Sequence, residues 1–137
     1  MTVALDTSAL VRRYVRAPGR ELVNEALAAD PVWAASALAR SESQLALHRI
    51  AAHPRQARAL WSALRDDWEA VVVVPVDDRC LARAVEIGAT YAVRTVDAIH
   101  LAAADRLPRP VRWVTFDRQQ IPAATALGLE VVSPLAG

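Results

Sequence analysis

The chain of 137 residues contains no lysine, and all 16 of its basic residues are arginine. Lysine forms the Schiff base in one large class of enzymes, holds phosphate in Walker-type P-loops, and assists the phospho-aspartate in some signalling and phosphatase folds. The sequence therefore excludes each of these classes.

Cysteine and histidine are also scarce. Cys80 is the only cysteine, so an intrachain disulfide and a cysteine-rich zinc site are both excluded. The three histidines, His48, His53 and His100, lack the spacing of a zinc motif. Any bound metal ion must therefore be held by carboxylate oxygens, which are the donors that Mg²⁺ and Mn²⁺ prefer.

Long hydrophobic runs are missing too. The longest apolar run, residues 71–76, is interrupted by Pro75, whereas a membrane-spanning helix needs about 20 apolar residues. The N-terminus reaches Asp6 after a few apolar residues and does not have the pattern of a secretory signal. We therefore expect a cytoplasmic protein that does not bind membranes. The length favours one domain covering residues 1–137, and 54% hydrophobic residues supply a core.

Helix-capping residues, prolines and glycines divide the chain into alternating strands and helices. The predicted strands are residues 3–5, 71–76, 111–116 and 131–132, and an apolar stretch at 32–34 lies between two helices. The predicted helices are 7–17, 21–29, 38–52, 55–68, 78–88, 95–107 and 119–127. The valine-rich segment 71–76 is apolar on both faces, which predicts a strand buried inside a parallel sheet. The pattern favours an α/β fold with three layers, α/β/α, around a central, mainly parallel sheet.

Acidic residues follow three of the predicted strands. Asp6 ends the first strand, Asp77 and Asp78 follow the valine-rich strand, and Asp117 follows the next strand, with Thr115 just before it. Ligands of parallel α/β sheets bind at the carboxyl ends of strands, so Asp6 and Asp117 are candidate ligand-binding residues. Consecutive acids before a helix are typical caps, and we assign Asp77 and Asp78 to that role.

Two predicted helices add further carboxylates. Glu42 lies four residues after Leu38 and three before Leu45, which predicts that it shares their inward-facing side. Asp97 lies in the first turn of the helix that contains Ile99, where the helix dipole favours an anion. Both acids are therefore expected to point inward, where a charge needs a partner.

Each acid alone also has a structural explanation. Asp6 can cap the first helix, Glu42 can extend from the edge of its helix face, Asp97 can be a first-turn acid, and Asp117 can be a turn residue. Together, however, four crowded carboxylates raise one another's pKa, and a divalent cation relieves that repulsion. The net charge is +1, so removing these four negative charges leaves +5 on the rest of the molecule. An acidic pocket on an arginine-bearing scaffold suits a phosphate polymer and metal-assisted hydrolysis.

Four short motifs carry a resemblance to a known family. They are DTSAL from Asp6, RSE ending at Glu42, RTVDAIHLA around Asp97, and TFD ending at Asp117. In order and spacing along the whole chain they resemble the motifs of PIN-domain proteins of the VapC-like toxin type. The RTVDAIHLA segment is the most specific of the four.

The resemblance implies a small α/β/α fold and an Mg²⁺- or Mn²⁺-dependent endoribonuclease, the toxin of a type II toxin-antitoxin pair. Its catalytic residues would be the four acids Asp6, Glu42, Asp97 and Asp117. The metal would be contacted by Asp6, Asp97 and Asp117, directly or through water, and Glu42 would act from further out. A metal-activated water would attack the RNA phosphodiester in line.

Three hydroxyls next to these acids are candidate supporting residues: Thr7, Ser8 and Thr115. They can orient a carboxylate or a water, or serve only as helix caps and strand-end hydrogen-bonding groups. His100, one turn after Asp97, is expected to be a packed or supporting residue and not a base. Trp61 and Trp68, seven residues apart on one helix, form a stripe that we assign to the core, although it could be a binding face.

The resemblance also implies partners: an RNA substrate, a cognate antitoxin that covers the acidic pocket and an apolar groove, and a second copy of the chain in a homodimer. The competing hypothesis is a non-catalytic PIN scaffold that binds RNA or a protein. Response-regulator receivers and haloacid-dehalogenase-type phosphatases place acids similarly, but both need a lysine. The second also needs Asp-x-Asp where this chain has Asp6-Thr7-Ser8.

Overall fold

The computed structural model describes residues 1–135, which form five β-strands and seven α-helices. The strands are β1 (Thr2–Leu5), β2 (Val32–Ser36), β3 (Val72–Val74), β4 (Val111–Val114) and β5 (Glu130–Val132). The helices are α1 (Thr7–Arg12), α2 (Arg20–Ala29), α3 (Ala37–Ile50), α4 (Pro54–Trp68), α5 (Asp78–Tyr91), α6 (Thr95–Asp105) and α7 (Ile121–Ala126). A single 3₁₀ turn, Arg118–Gln120, leads into α7.

The five strands form one parallel sheet in the order β3-β2-β1-β4-β5. Strand β1 is central, and Ala4 lies opposite Ala34 of β2 on one side and Trp113 of β4 on the other. The chain therefore winds outward in both directions from β1. The carboxyl ends of β1, β2 and β4 lie side by side at this reversal of strand order, which is where parallel α/β sheets bind ligands.

Helices cover both faces of the sheet. Alternate residues of β1 point to opposite sides, so Val3 and Leu5 pack with α1 to α4, whereas Ala4 packs with α5, α6 and α7. This arrangement confirms the predicted three-layer α/β/α fold with a parallel sheet. Trp61 and Trp68 pack against the cluster that contains Val3 and Leu5, as the core assignment predicts.

The prediction for the valine-rich segment was wrong in one respect. The segment does form a strand, but β3 is only Val72–Val74 and lies at the edge of the sheet. Val72 and Val73 are 48% and 40% exposed. The interior place beside β1 belongs to β2, which contains the apolar stretch 32–34. Valine content indicates a strand, but it does not specify the position of that strand in the sheet.

Several helix ends differ from the predictions. Helix α5 was predicted to end at Gly88 but continues to Tyr91. Gly88 lies inside the helix at a close contact with α6, where a Cβ on this residue would be 3.6 Å from the Cβ of Ala98. The last predicted helix divides into the 3₁₀ turn and α7, whose first turn contains Pro122. None of the helices within residues 1–135 has the length and apolar character needed to cross a membrane.

Candidate active site

The structure brings the four predicted acids together at the carboxyl edge of the sheet. Asp6, Glu42, Asp97 and Asp117 all line one cleft of about 1010 Å³. Asp6 follows β1, Asp117 follows β4, and the other two acids lie on α3 and α6. Two acids thus come from strand ends and two from helices that pack beside those ends.

Asp6 is the most buried of the four acids, with 2% of its surface exposed. It caps α1 by accepting the Ala9 N–H at 2.9 Å, and it also accepts from the Thr115 hydroxyl at 2.9 Å. Burial raises the pKa of Asp6 above its ordinary value, and the bonds from Ser8, Ala9 and Thr115 counteract part of that rise. The carboxylate is therefore rigidly held and gains from any nearby cation.

The hydroxyls of Ser8 and Thr115 orient the acids at the two strand ends. The Ser8 Oγ lies 2.7 and 2.9 Å from the two oxygens of Asp6 and accepts the Phe116 N–H at 3.0 Å. The Thr115 Oγ1 accepts the Asp117 N–H at 3.0 Å while donating to Asp6. These bonds tie the start of α1 to the end of β4, so the spacing of Asp6 and Asp117 depends on both residues.

Gln120 connects Asp6 with Asp97 and was missed by the sequence analysis. Its Nε2 donates to Oδ2 of Asp6 at 3.0 Å and to Oδ1 of Asp97 at 2.9 Å, so these two oxygens are no more than about 6 Å apart. Its Oε1 accepts the indole N–H of Trp113 at 3.2 Å, and the residue is completely buried. A buried amide between two carboxylates spaces them without adding charge. The sequence offered no signal to separate Gln120 from its exposed neighbour Gln119.

Arg94 was not predicted as a site residue either. It is the N-cap residue of α6, and its Nε lies 3.0 Å from Oδ2 of Asp97. Its Nη2 lies 3.4 Å from Oδ2 of Asp117, whose other oxygen accepts the Gln119 N–H at 3.0 Å. The guanidinium therefore spans two of the predicted metal ligands. The Arg94 side chain is nevertheless 76% exposed, whereas that of Asp97 is 10% exposed.

Glu42 belongs to a hydrogen-bonded chain that runs into the protein. Its Oε1 accepts from the Thr7 hydroxyl at 2.6 Å and contacts Nε2 of His100 at 2.5 Å. The Nδ1 of buried His100 lies 2.8 Å from the Ser36 hydroxyl. Burial acts to raise the pKa of Glu42, but the bonds from His100 and Thr7 outweigh it and the pKa is lowered. Glu42 is thus stabilised in its charged form.

The reason given for Glu42 pointing inward was wrong. Leu45, predicted to share its face, is 53% exposed, and α3 buries Ala39, Ser43 and Leu47. Glu42 lies beside that buried face with its side chain 30% exposed. At 3.6 residues per turn, Leu38 and Leu45 both lie on one side of Glu42 around the helix, whereas the buried residues Ala39, Ser43 and Leu47 lie on its other side. The buried His100 side chain contacts the Glu42 carboxylate, and both residues line the cleft.

The donor chemistry of the cleft fits a hard divalent cation. All the candidate ligands are carboxylate or hydroxyl oxygens, the set that Mg²⁺ and Mn²⁺ prefer. The guanidinium of Arg94 shows that a positive charge is already accommodated between Asp97 and Asp117. As the side chains stand, no three His, Cys, Asp or Glu residues within 1–135 converge closely enough to hold a metal ion. Gln120 and Arg94 occupy the spaces between the carboxylates.

Comparison with known proteins places this cleft in a family context. The family model of the PIN domain matches residues 3–125. Ribonuclease VapC46 of Mycobacterium tuberculosis is 35% identical over 133 residues, which cover 96% of this chain and 97% of that protein.

Two solved structures have a similar fold. A toxin-antitoxin complex from Klebsiella pneumoniae contains a chain with a TM-score of 0.69 and 21% identity, covering 96% of this chain and 97% of that one. VapBC2 from Rickettsia felis, bound to a DNA fragment from its promoter, gives a TM-score of 0.69 at 18% identity, covering 96% and 98%. At these identities the two structures support the fold alone.

Proposed function

This chain belongs to the PIN-domain family, and on that premise we propose that it is a metal-dependent endoribonuclease, the toxin of a type II toxin-antitoxin pair. The observation that carries the proposal is its 35% identity, over nearly the whole length of both chains, to a protein named as a ribonuclease. The four acids that line one cleft at the carboxyl edge of the sheet support the same activity. We further propose that residues 1–137 act as one domain in the cytoplasm, where cellular RNA is present.

In this proposal Asp6, Asp97 and Asp117 would hold Mg²⁺ or Mn²⁺, which would supply a lowered pKa for an attacking water and neutralisation of charge on the phosphate. The protein supplies rigid ligands. Asp6 is fixed by Ser8 and Thr115, and the Gln120 amide fixes the distance from Asp6 to Asp97. Such preorganisation is what allows charged groups to act without reorganising during the reaction.

Glu42 has a different role in the proposed site. Its bonds to Thr7 and His100 use Oε1 and keep the carboxylate charged. Because it is part-exposed on the cleft wall, it can orient water molecules or accept a proton from one of them. His100 is buried and bonded at both ring nitrogens, which suits a positioning role for Glu42 and Thr7.

Arginines at the mouth of the cleft provide contacts for the RNA backbone. Arg94 and Arg118 both line the cleft and are exposed, and the Arg12 guanidinium stacks 4.0 Å from the centre of the Phe116 ring, which also lines it. Arginine pairs with phosphate through several N–H groups, and aromatic rings stack on unpaired bases. The surroundings of the acids thus suit a single-stranded or looped RNA.

The proposed activity is tested by incubating purified protein with a pool of structured cellular RNAs. We expect cleavage with Mn²⁺ or Mg²⁺, loss of cleavage with chelator, and loss in Asp97→Asn, because the substitution removes a ligand charge. Asp77→Asn is the matched control: Asp77 caps α5 outside the cleft, and asparagine is an equally good cap. Cleavage retained by a folded Asp97→Asn protein would overturn the assignment. Metal-independent RNA binding without cleavage would favour the non-catalytic scaffold.

We also propose a cognate antitoxin as partner, since the solved structures of similar fold include toxin-antitoxin complexes. It would cover the acidic cleft and neutralise it. Co-expression with the product of a short open reading frame next to this gene tests the idea. A stable complex that no longer cleaves RNA is the expected result, and a complex with full activity would contradict it.

A homodimer is the second proposed assembly. Leu81 and Val85 of α5 are 42% and 71% exposed and line an apolar groove of about 430 Å³ against α6. Thr95 lines both this groove and the acidic cleft, so pairing through the groove would place two clefts close together. Light scattering after size exclusion should give a dimer for the wild type and a monomer for Val85→Glu. A monomeric wild type at micromolar concentration would exclude this assembly.

A further inference from the structure

Arg94 occupies carboxylate oxygens that a metal ion would need. The Oδ1 of Asp97 is taken by the Gln120 amide and the Oδ1 of Asp117 by the Gln119 N–H. The remaining oxygen of each acid, Oδ2, is the one that contacts Arg94, at 3.0 Å and 3.4 Å. One guanidinium therefore blocks the available oxygen of two of the three proposed ligands.

The Arg94 side chain is free to leave this position. It is 76% exposed, and its hydrogen bonds within the described part of the chain are those to Asp97 and Asp117. Ion pairs made by such an exposed side chain contribute little to stability, because water competes with them and the long side chain loses freedom. Its backbone is anchored as the N-cap of α6, so the guanidinium would remain at the mouth of the cleft after leaving the acids.

We propose that Arg94 exchanges between two partners: the Asp97 and Asp117 carboxylates while the site lacks metal, and a backbone phosphate of the RNA once a divalent cation has taken those oxygens. The inference rests on the proposed function for the metal and the RNA. Arg94 is then an internal competitor of the metal and a positioning residue for the substrate. Metal and RNA binding would therefore favour each other. A bound metal ion displaces Arg94 from the carboxylates and frees it for a phosphate, and a bound phosphate draws Arg94 away from the carboxylate oxygens that the metal needs.

The first test measures Mn²⁺ binding to chelator-treated full-length protein by electron paramagnetic resonance. Arg94→Gln should bind Mn²⁺ about 3- to 10-fold more tightly than the wild type, because a competing positive charge is gone. Arg118→Gln is the matched control: Arg118 is an exposed arginine on the same cleft, and residues 1–135 give it no acidic partner within 4.0 Å. Its Mn²⁺ affinity should change less than about 2-fold. Arg94→Lys should be intermediate, since one ammonium pairs with one carboxylate at a time.

The second test measures the salt dependence of cleavage. If Arg94 contacts one phosphate, the slope of log kcat/KM against log salt concentration should be smaller by about 0.7 in Arg94→Gln. A side chain that only stabilises the fold would leave this slope unchanged. Circular dichroism of both Arg94 variants establishes that they are folded.

The outcomes separate this inference from the proposed function. Equal Mn²⁺ affinity in Arg94→Gln and Arg118→Gln would overturn the exchange, provided that Asp97→Asn loses Mn²⁺ binding. If the wild type fails to bind Mn²⁺, or Asp97→Asn binds it as well as the wild type does, the proposed metal site fails and the exchange fails with it.

Discussion

Replacing Gln120 with leucine should destabilise the protein far more than the same change at Gln119. Leucine keeps much of the side-chain volume but removes both N–H bonds to the carboxylates of Asp6 and Asp97. It also leaves the buried indole N–H of Trp113 without its acceptor. Buried hydrogen bonds to charged groups contribute about 1.5–3 kcal/mol each, and an unpaired buried donor costs about 1–3 kcal/mol.

Since these bonds share one side chain and their contributions overlap, we expect a loss of about 3–5 kcal/mol in the free energy of unfolding. That is a large part of the stability of an ordinary domain, about 5–15 kcal/mol. Urea denaturation of both variants in the presence of chelator measures it. Gln119 is exposed and its backbone N–H makes the bond to Asp117, so Gln119→Leu should stay within about 0.5 kcal/mol of the wild type.

Two results would refute this reasoning. The first is a Gln120→Leu protein as stable as Gln119→Leu, which would mean that the buried bonds of the Gln120 amide contribute no net stability. The second concerns metal: because a cation can replace the lost N–H groups between Asp6 and Asp97, Mg²⁺ should restore part of the stability of Gln120→Leu. Stabilisation by Mg²⁺ that is no larger than in the wild type would contradict that explanation.

Thr7→Val removes a hydroxyl bond that holds the pKa of Glu42 low, so the acidic limb of the cleavage profile should move to higher pH. A carboxyl group whose pKa is lowered by folding stabilises the fold at pH values above its unfolded-state pKa, and that contribution is lost as the pH falls. In urea denaturation, the free energy of unfolding of Thr7→Val should therefore be lower than that of the wild type by about 1 kcal/mol at pH 7 and by less at pH 3. An equal loss at both pH values would contradict the role of Thr7. Gly19→Ala and Gly128→Ala both place a Cβ at positive φ, a strain of about 1–2 kcal/mol. Only Gly19→Ala would also drive a Cβ into the Phe116 ring. Thermal denaturation should therefore show Gly19→Ala to be less stable than Gly128→Ala by about 1–3 kcal/mol, and equal stability of the two variants would contradict this contact with Phe116.

The sequence predicted the parts of the fold and site that depend on local pattern. The apolar run before Asp6, the capping pattern and the helical periodicities were enough for the α/β/α architecture. They were not enough for β3, since valine marks a strand without specifying whether it lies inside the sheet or at its edge. Strand order depends on how helices of different lengths pack, and that is a property of the whole chain.

Arg94 and Gln120 illustrate the same limit inside the site. Gln120 reaches Asp6 across 114 residues of sequence and Asp97 across 23. Gln119 and Gln120 are identical neighbours in one 3₁₀ turn, yet one is exposed and the other is completely buried. Which of them points inward depends on where the turn sits against β4 and α6. Local sequence therefore identifies charged ligands more readily than the neutral group that spaces them.

A cap role for Asp6 and a turn role for Asp117 were weighed against ligand roles, and the structure shows that each acid both makes such a local bond and lines the cleft. Asp6 accepts the Ala9 N–H as the cap of α1 and faces the cleft, and Asp117 caps the 3₁₀ turn while its second oxygen meets Arg94. The coincidence has a physical cause. In a parallel α/β sheet each helix begins just after a strand ends, so the residues that cap helices lie at the edge where ligands bind. The cap bond uses one carboxylate oxygen and orients the other. A capping role at a strand end is therefore a weak reason to reject a ligand role for the same acid. A second strand-end acid in the same cleft favours the ligand role.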